Sequence, residues 1–287
     1  MTQIMTHDGV RTGPIRHSVN GSINAKGSIH DDATATKLGM RGGTVAGSIH
    51  MDLFGPLLLE TFGERWWETG NLSLYFTNAT TDREPVQASL GIPAEGVSDL
   101  QVEAWVDRAD GMRVAEGTAA VGHPEAVSAL MGRAARAVES GQLRILSGLS
   151  VGMQIEPATA CYTEATLKDY MGRITEPMAM HDSSRWGGAV VPLAGYVNVL
   201  YGQAIGSLRR QIKDVVGLFG AIEIRNVHGP LIVGRDYRTG GKVVALGESP
   251  KTEYFWYETW AEDSNGKRIA EHRMQLRFMK ASSPLYQ

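Results

Sequence analysis

Apolar and polar residues alternate along four runs in the first half of the chain: NLSLYFTNAT (71–80), EPVQASLGI (84–92), LQVEAWVDR (100–108) and RVAEGTAAVG (113–122). A period of two sends successive side chains to opposite faces of a pleated strand, so each run is expected as a half-buried β-strand. Ahead of them the Gly/Ser-rich stretch SVNGSINAKGS (18–28) leads to a short helical turn at 31–38 and a longer apolar helix at about 44–62, TVAGSIHMDLFGPLLLETF. The second half predicts the same order, with a helix near 191–212 and strands near 218–228, 241–247, 251–262 and 267–279. One helix followed by a run of strands implies an α+β domain with an antiparallel sheet packed on the helix.

The two halves also resemble each other. RGGTVAG at 41–47 is similar to WGGAVVP at 186–192, and each opens an apolar helical stretch that follows a histidine, His30 or His181. DGMRVAEG at 110–117 matches NGKRIAEH at 265–272 in Gly, Arg, Ala and Glu, with Val opposite Ile; Asp110-Gly111 and Asn265-Gly266 are turn signals between extended segments. The offsets, 145 and 155 residues, are each close to half the chain, too long for a solenoid repeat and suited to a duplicated domain. The expected organisation is an N-terminal half (1–123), a linking segment (124–143) whose helix PEAVSALMGRAARAV (124–138) has Pro at its start, and a C-terminal half (144–287).

Composition narrows the function. A hydrophobic share of 43% over 287 residues supports a sizeable core without disulfides. The formal charge of −3 offers no broad positive field for nucleic acid. The single cysteine, Cys161, excludes an intramolecular disulfide and is read as a packing residue. The first residues hold no apolar signal core, so a cytoplasmic location is expected. Trp186 to Leu208 is a 23-residue stretch without charge, yet it contains Pro192, Asn198, Gln203 and five glycines, so a buried central helix is expected rather than a membrane span.

The segment HDDATATKLGMRGGTVAGSIHMDLFGPLLLETFG, with a histidine at its start and Gly42-Gly43 before the helix, resembles the central-helix region of MaoC-like hot dog proteins. The second half resembles the same family through Tyr162-Thr163-Glu164, Tyr170, Glu176 and His181, which follow the spacing of the hydratase signature, where an Asp precedes a His by five residues. Glu176 stands where that family has Asp, Met178-Ala179 replaces its Asn-Pro pair, and Ala25 lies five residues before His30. The resemblance implies a double hot dog: two tandem halves, each a long central helix wrapped by an antiparallel sheet. It further implies a hydratase or dehydratase acting on a small acyl thioester of the enoyl-CoA type or a related carbonyl compound. Coenzyme A or an acyl carrier protein would enter as part of the substrate, with no other cofactor, and a homodimer is expected because hot dog sheets often pair.

Adding water to an activated double bond needs a base for water and an acid for the α-carbon, and a carboxylate with an imidazole can supply both when burial moves their pKa values toward neutrality. Glu176 and His181 lie just upstream of a glycine-marked helix start at Gly187 and Gly188, whose free N–H groups could hold the developing oxyanion. Glu176 and His181 are therefore the expected acid/base pair, with His30, Asp31, Tyr170, Gly187 and Gly188 as substrate-binding residues. His30, lacking an acid, and Asp31 or Asp32 can equally serve as capping or surface residues. His50 is expected as a satisfied core histidine. No metal-ligand spacing and no phosphate-loop spacing occurs. A thioesterase, an isomerase or cyclase of a specialised pathway, and a non-catalytic holder of an apolar ligand are the other readings.

Overall fold

A computed structural model of the chain describes residues 3–94, 96–137, 142–212 and 214–286, the side chains of 203–205 excepted. The first elements are short strands β1 (Met5–His7), β2 (Val10–Thr12) and β3 (Arg16–His17), then helix α1 (Asp32–Lys37). A 3-10 helix, Gly47–Phe54, runs into α2 (Gly55–Phe62), followed by α3 (Trp66–Thr69) and strands β4 (Gly70–Phe76), β5 (Pro85–Gly91), β6 (Leu100–Arg108) and β7 (Arg113–Val121). Helix α4 (Ala129–Ala134) lies within the expected linking helix, whose residue 138 falls, with 139–141 of the linking segment, outside the described residues. The second half comprises β8 (Gln154–Cys161), α5 (Glu164–Met171), α6 (Leu193–Arg209), β9 (Gly217–Asn226), β10 (Asp236–Glu248), β11 (Thr252–Glu262) and β12 (Arg268–Met279).

All the strands join one antiparallel sheet in the order β1-β2-β5-β6-β7-β4-β9-β12-β11-β10-β8, with β3 also on β5. The two halves meet edge to edge where β4 pairs with β9, Leu72 opposite Ile224 and Leu74 opposite Ile222. The central helices share one face of this sheet and touch each other, and α6 lies against β8, β10, β11 and β12. Met51, Phe54, Leu57, Leu58, Tyr196 and Phe255 are fully buried between helices and sheet. On the opposite face α4 sets Leu130 against Ala221 and Trp256, and Ser128 donates to Glu223 at 2.6 Å, so the linking helix covers the seam between the halves. No helix among the described residues is long and apolar enough to cross a membrane.

The first central helix is not the single α-helix expected over 44–62. Pro56 has no N–H to return to the Asp52 carbonyl; the Gly55 N–H bonds that carbonyl instead, in the tighter 3-10 pattern, and α-helix begins only there. The stretch at 164–171, without a helical assignment in the sequence analysis, is α5, capped by the Thr163 hydroxyl on the Thr166 N–H at 3.1 Å.

Candidate functional site

The duplication is written in hydrogen bonds as well as in residues. His30 holds the Thr44 carbonyl through Nδ1 at 2.7 Å, and His181 holds the Val190 carbonyl through Nδ1 at 3.0 Å. Val45 N–H donates to Thr80 at 2.9 Å, and Val191 N–H donates to Leu231 at 3.0 Å. Isolated bridges join Thr44 to Thr81 and Val190 to Ile232. These bonds make Thr44 the counterpart of Val190, one residue displaced from the alignment of the two Gly-Gly pairs. The extra length after His30 is α1, where Asp31 caps Thr34 N–H at 3.2 Å and the Asp32 carboxylate takes the Gly43 N–H at 2.6 Å. Gly43 is required there, because a Cβ would lie 2.3 Å from the His30 carbonyl oxygen.

A carbonyl oxygen only accepts, so each histidine carries its proton on Nδ1 and, when neutral, presents Nε2 as a base. Their surroundings differ. His30 lines a cavity of about 340 Å³ together with Thr44, Ala46, Gly47, Phe76 and, from the other half, Tyr201, Arg209 and Phe219. The first intrahelical bond of the 3-10 helix runs from Ile49 to Ala46, so the Gly47 N–H is at a helix N-terminus on the cavity wall. Gly47 admits the Phe76 ring, whose edge would lie 2.7 Å from a Cβ. His50 also borders the cavity but is buried, bonds Thr80 Oγ1 through Nε2 at 2.9 Å, and is pushed down to about 4 by burial.

The C-terminal counterpart is filled with protein. The positions equivalent to Gly47 and Ser48 are Leu193 and Ala194, and both N–H groups go to the carboxyl of Asp52, Ala194 at 2.9 Å. Tyr170 donates its hydroxyl to the same carboxyl. Burial raises Asp52 to about 6, while these three hydrogen bonds pull the other way. Tyr196, counterpart of His50, bonds Asn226 at 2.8 Å, and Asn226 in turn donates to the Trp66 carbonyl at 3.1 Å. His181 is buried, which lowers its pKa, the Val190 carbonyl opposing. Glu176 is 3% exposed and faces Arg16, with 2.8 Å from Nε to Oε1. Neither Glu176 nor His181 lines the cavity at His30. Gly187 takes a left-handed φ of 79°, and its carbonyl accepts from Arg235 at 3.1 Å; the Gly188 carbonyl accepts from Ser184 at 2.5 Å.

Of the residues expected to bind substrate, then, the structure brings His30 to a cavity, gives Asp31 a capping role, and puts Tyr170 on Asp52. Sequence reasoning missed Asp52, Arg16, Tyr201 and Arg209. The first three share no motif with the residues they meet; Arg209, eight residues after Tyr201 in the expected helix, was the one that helical spacing could have offered.

No family model matches the sequence and no curated protein matches it. Solved structures do resemble it. A MaoC domain protein from Chloroflexus aurantiacus J-10-fl superimposes with a TM-score of 0.60 at 13% identity, covering 97% of this chain and 95% of that one. A Mycobacterium tuberculosis protein with a double hot dog fold gives 0.60 at 10% identity over 97% and 96%. The dehydratase domain of PpsC from Mycobacterium tuberculosis, in complex with C12:1-CoA, gives 0.53 at 11% identity over 97% and 98%. With these structures the chain shares one architecture along nearly its whole length, the double hot dog.

Proposed function

We propose that the chain is a hydratase or dehydratase that adds or removes water at the double bond of a small acyl thioester, and that it works at the His30 cavity. The observation that carries this is the joint placement of His30, tautomer fixed by Thr44, and the helix N-terminus at Gly47 on one cavity wall. In dehydration, His30 Nε2 takes the proton from the α-carbon; in hydration, its imidazolium returns that proton to the α-carbon as the oxygen of water adds to the β-carbon. The π electrons move onto the α-carbon and the thioester oxygen, where the Gly47 N–H stabilises the charge. The cavity volume suits a short acyl group, and Ile29, Val45, Phe76 and Phe219 give it apolar wall to pack against. The ligand in the PpsC complex, an acyl-CoA, supports the same substrate class.

In this reading Glu176 and His181 belong to the framework of the second copy, where the helix N-terminus is already taken by Asp52. Incubation with crotonyl-CoA tests the proposal: loss of enoyl absorbance is expected, and His30→Ala should abolish it. Release of free thiol without loss of the double bond would identify a thioesterase instead.

A further inference from the structure

With the His50 ring held on Thr80, His30 alone of the two imidazoles at this cavity is placed to exchange protons, which leaves one proton transfer without an owner. Dehydration removes a proton from the α-carbon and must protonate the departing β-hydroxyl, and among the described residues no carboxylate lines the cavity. The groups that do line it can be taken in turn. His50 is held by Thr80 and stays neutral, and Arg209 and Arg277 offer guanidinium groups, which supply charge and hydrogen bonds rather than proton exchange. The threonine and serine hydroxyls are too weakly acidic to act without a base of their own. Tyr201 remains. It projects from α6, in the other half of the chain, and its ring meets Phe219 edge-on at 5.3 Å with the planes at 74°. That contact fixes the ring while leaving it on the cavity wall.

We propose that Tyr201 is the second proton-handling residue of this site, donating to the leaving β-hydroxyl while His30 takes the α-proton; the proposal rests on the assignment of the reaction to the His30 cavity. Burial raises the Tyr201 pKa, with the positive charge of Arg209 opposing, so the phenol is protonated and ready to donate at neutral pH. The step balances. The Cα–H bond breaks onto His30 Nε2, its electrons form the Cα=Cβ bond, and the Cβ–O bond breaks as the Tyr201 proton completes a water molecule. The tyrosinate left behind recovers its proton from the His30 imidazolium through that water. Each half therefore contributes one group, which gives the duplicated chain a reason to keep α6 against the first copy's cavity although the second copy's own helix N-terminus is closed.

The test uses the full chain and two thioesters in deuterium oxide. With 3-hydroxybutyryl-CoA, formation of crotonyl-CoA reports elimination; with butyryl-CoA, which has no leaving group, deuterium at the α-carbon reports proton abstraction alone. Tyr201→Phe should lower elimination at least about a hundredfold, the scale of a lost general acid, leave α-exchange near the wild-type rate, and keep the thermal midpoint. His30→Ala should abolish both reactions. Unchanged elimination in Tyr201→Phe overturns the proposal, as does a parallel loss of exchange and elimination, which would make the ring a wall rather than an acid. If His30→Ala keeps both reactions, or wild type performs neither, it is the assignment of the site itself that fails.

Discussion

Asp52 and Ala194 are bonded across the two halves of the chain: the carboxyl of one copy's central helix accepts the N–H at the first turn of the other's, at 2.9 Å. A helix N-terminus is where an anionic oxygen is best received, and here the protein supplies that oxygen itself. The two copies have thus diverged at one position. Gly47 faces an open cavity, while its counterpart Leu193 faces a built-in carboxyl.

The buried carboxyl gives a stability signature with a definite sign. Asp52 sits near 6 when folded and near 3.8 as an unperturbed group, so between those pH values the folded chain keeps a proton that the unfolded chain releases. Its contribution is therefore complete below pH about 4 and lost as pH rises through about 6. A gap of about two pH units amounts to about 3 kcal/mol at most. Asp52→Asn keeps an acceptor for Ala194 and Tyr170 without the ionisation. Denaturant unfolding from pH 4 to 7 should show wild type losing stability relative to this variant across that window, and a constant difference would refute the assignment.

The two histidines should separate activity from stability. His30→Ala is expected to lower turnover of crotonyl-CoA at least about a hundredfold with a modest change in melting. Glu176→Gln removes the charge that Arg16 faces, and His181→Ala opens a buried space and frees the Val190 carbonyl. Both should cost about 1–3 kcal/mol of stability and leave turnover of the folded enzyme within about threefold. Parallel measurement of rate and unfolding on the three variants decides the matter; a Glu176→Gln enzyme that is stable but inactive would return the chemistry to the second copy.

Gly47 offers a steric test of the cavity. A methyl group there would lie 2.7 Å from the Phe76 ring, so Gly47→Ala must either displace that ring or intrude on the space beside His30. The strain of such overpacking, about 1–3 kcal/mol, predicts a fall in kcat/KM of about tenfold or more. Trimming the ring in Gly47→Ala/Phe76→Leu should restore part of it. A double variant worse than the sum of the singles, measured with the same crotonyl-CoA assay, would exclude this packing relationship.

Much of the architecture was legible because strands announce themselves locally. The alternation in 100–108, 113–122, 251–262 and 267–279 coincides with β6, β7, β11 and β12 almost to the residue, since each has one face on the helices. β1, β2 and β3 escaped notice because two or three residues hold no period. The site was half legible. Duplication exposed His30 and His181 as a pair, and the acid before His181 pointed to the second copy. What favours the first copy in the proposed reading is tertiary: Arg16 reaches Glu176 across 160 positions, and Asp52 reaches Ala194 across 142. No local pattern marks an aspartate on one helix as the stopper of another.

Arg209 carries the last prediction, concerning what the acyl group is attached to. It borders the His30 cavity and also an adjoining groove lined by Gly27, Ile212, Val215 and Ser282, and among the described residues it forms no ion pair. Asp214 lies in the same groove, and among the described residues it too forms no ion pair. A guanidinium at the mouth of an apolar cavity suits an acyl group tethered to an anionic arm, such as the phosphates of coenzyme A or of a carrier protein's prosthetic group. Arg209→Glu should therefore raise KM for crotonyl-CoA about tenfold at low ionic strength, with a smaller ratio at high salt, because an exposed charge acts through solvent. kcat should hardly change, since Arg209 moves no proton. The N-acetylcysteamine thioester, which presents the same double bond without phosphate, should be hydrated equally well by both enzymes. Equal KM values for the coenzyme A substrate in wild type and Arg209→Glu would remove the anionic arm from the account and leave a site for a free or neutral acyl compound.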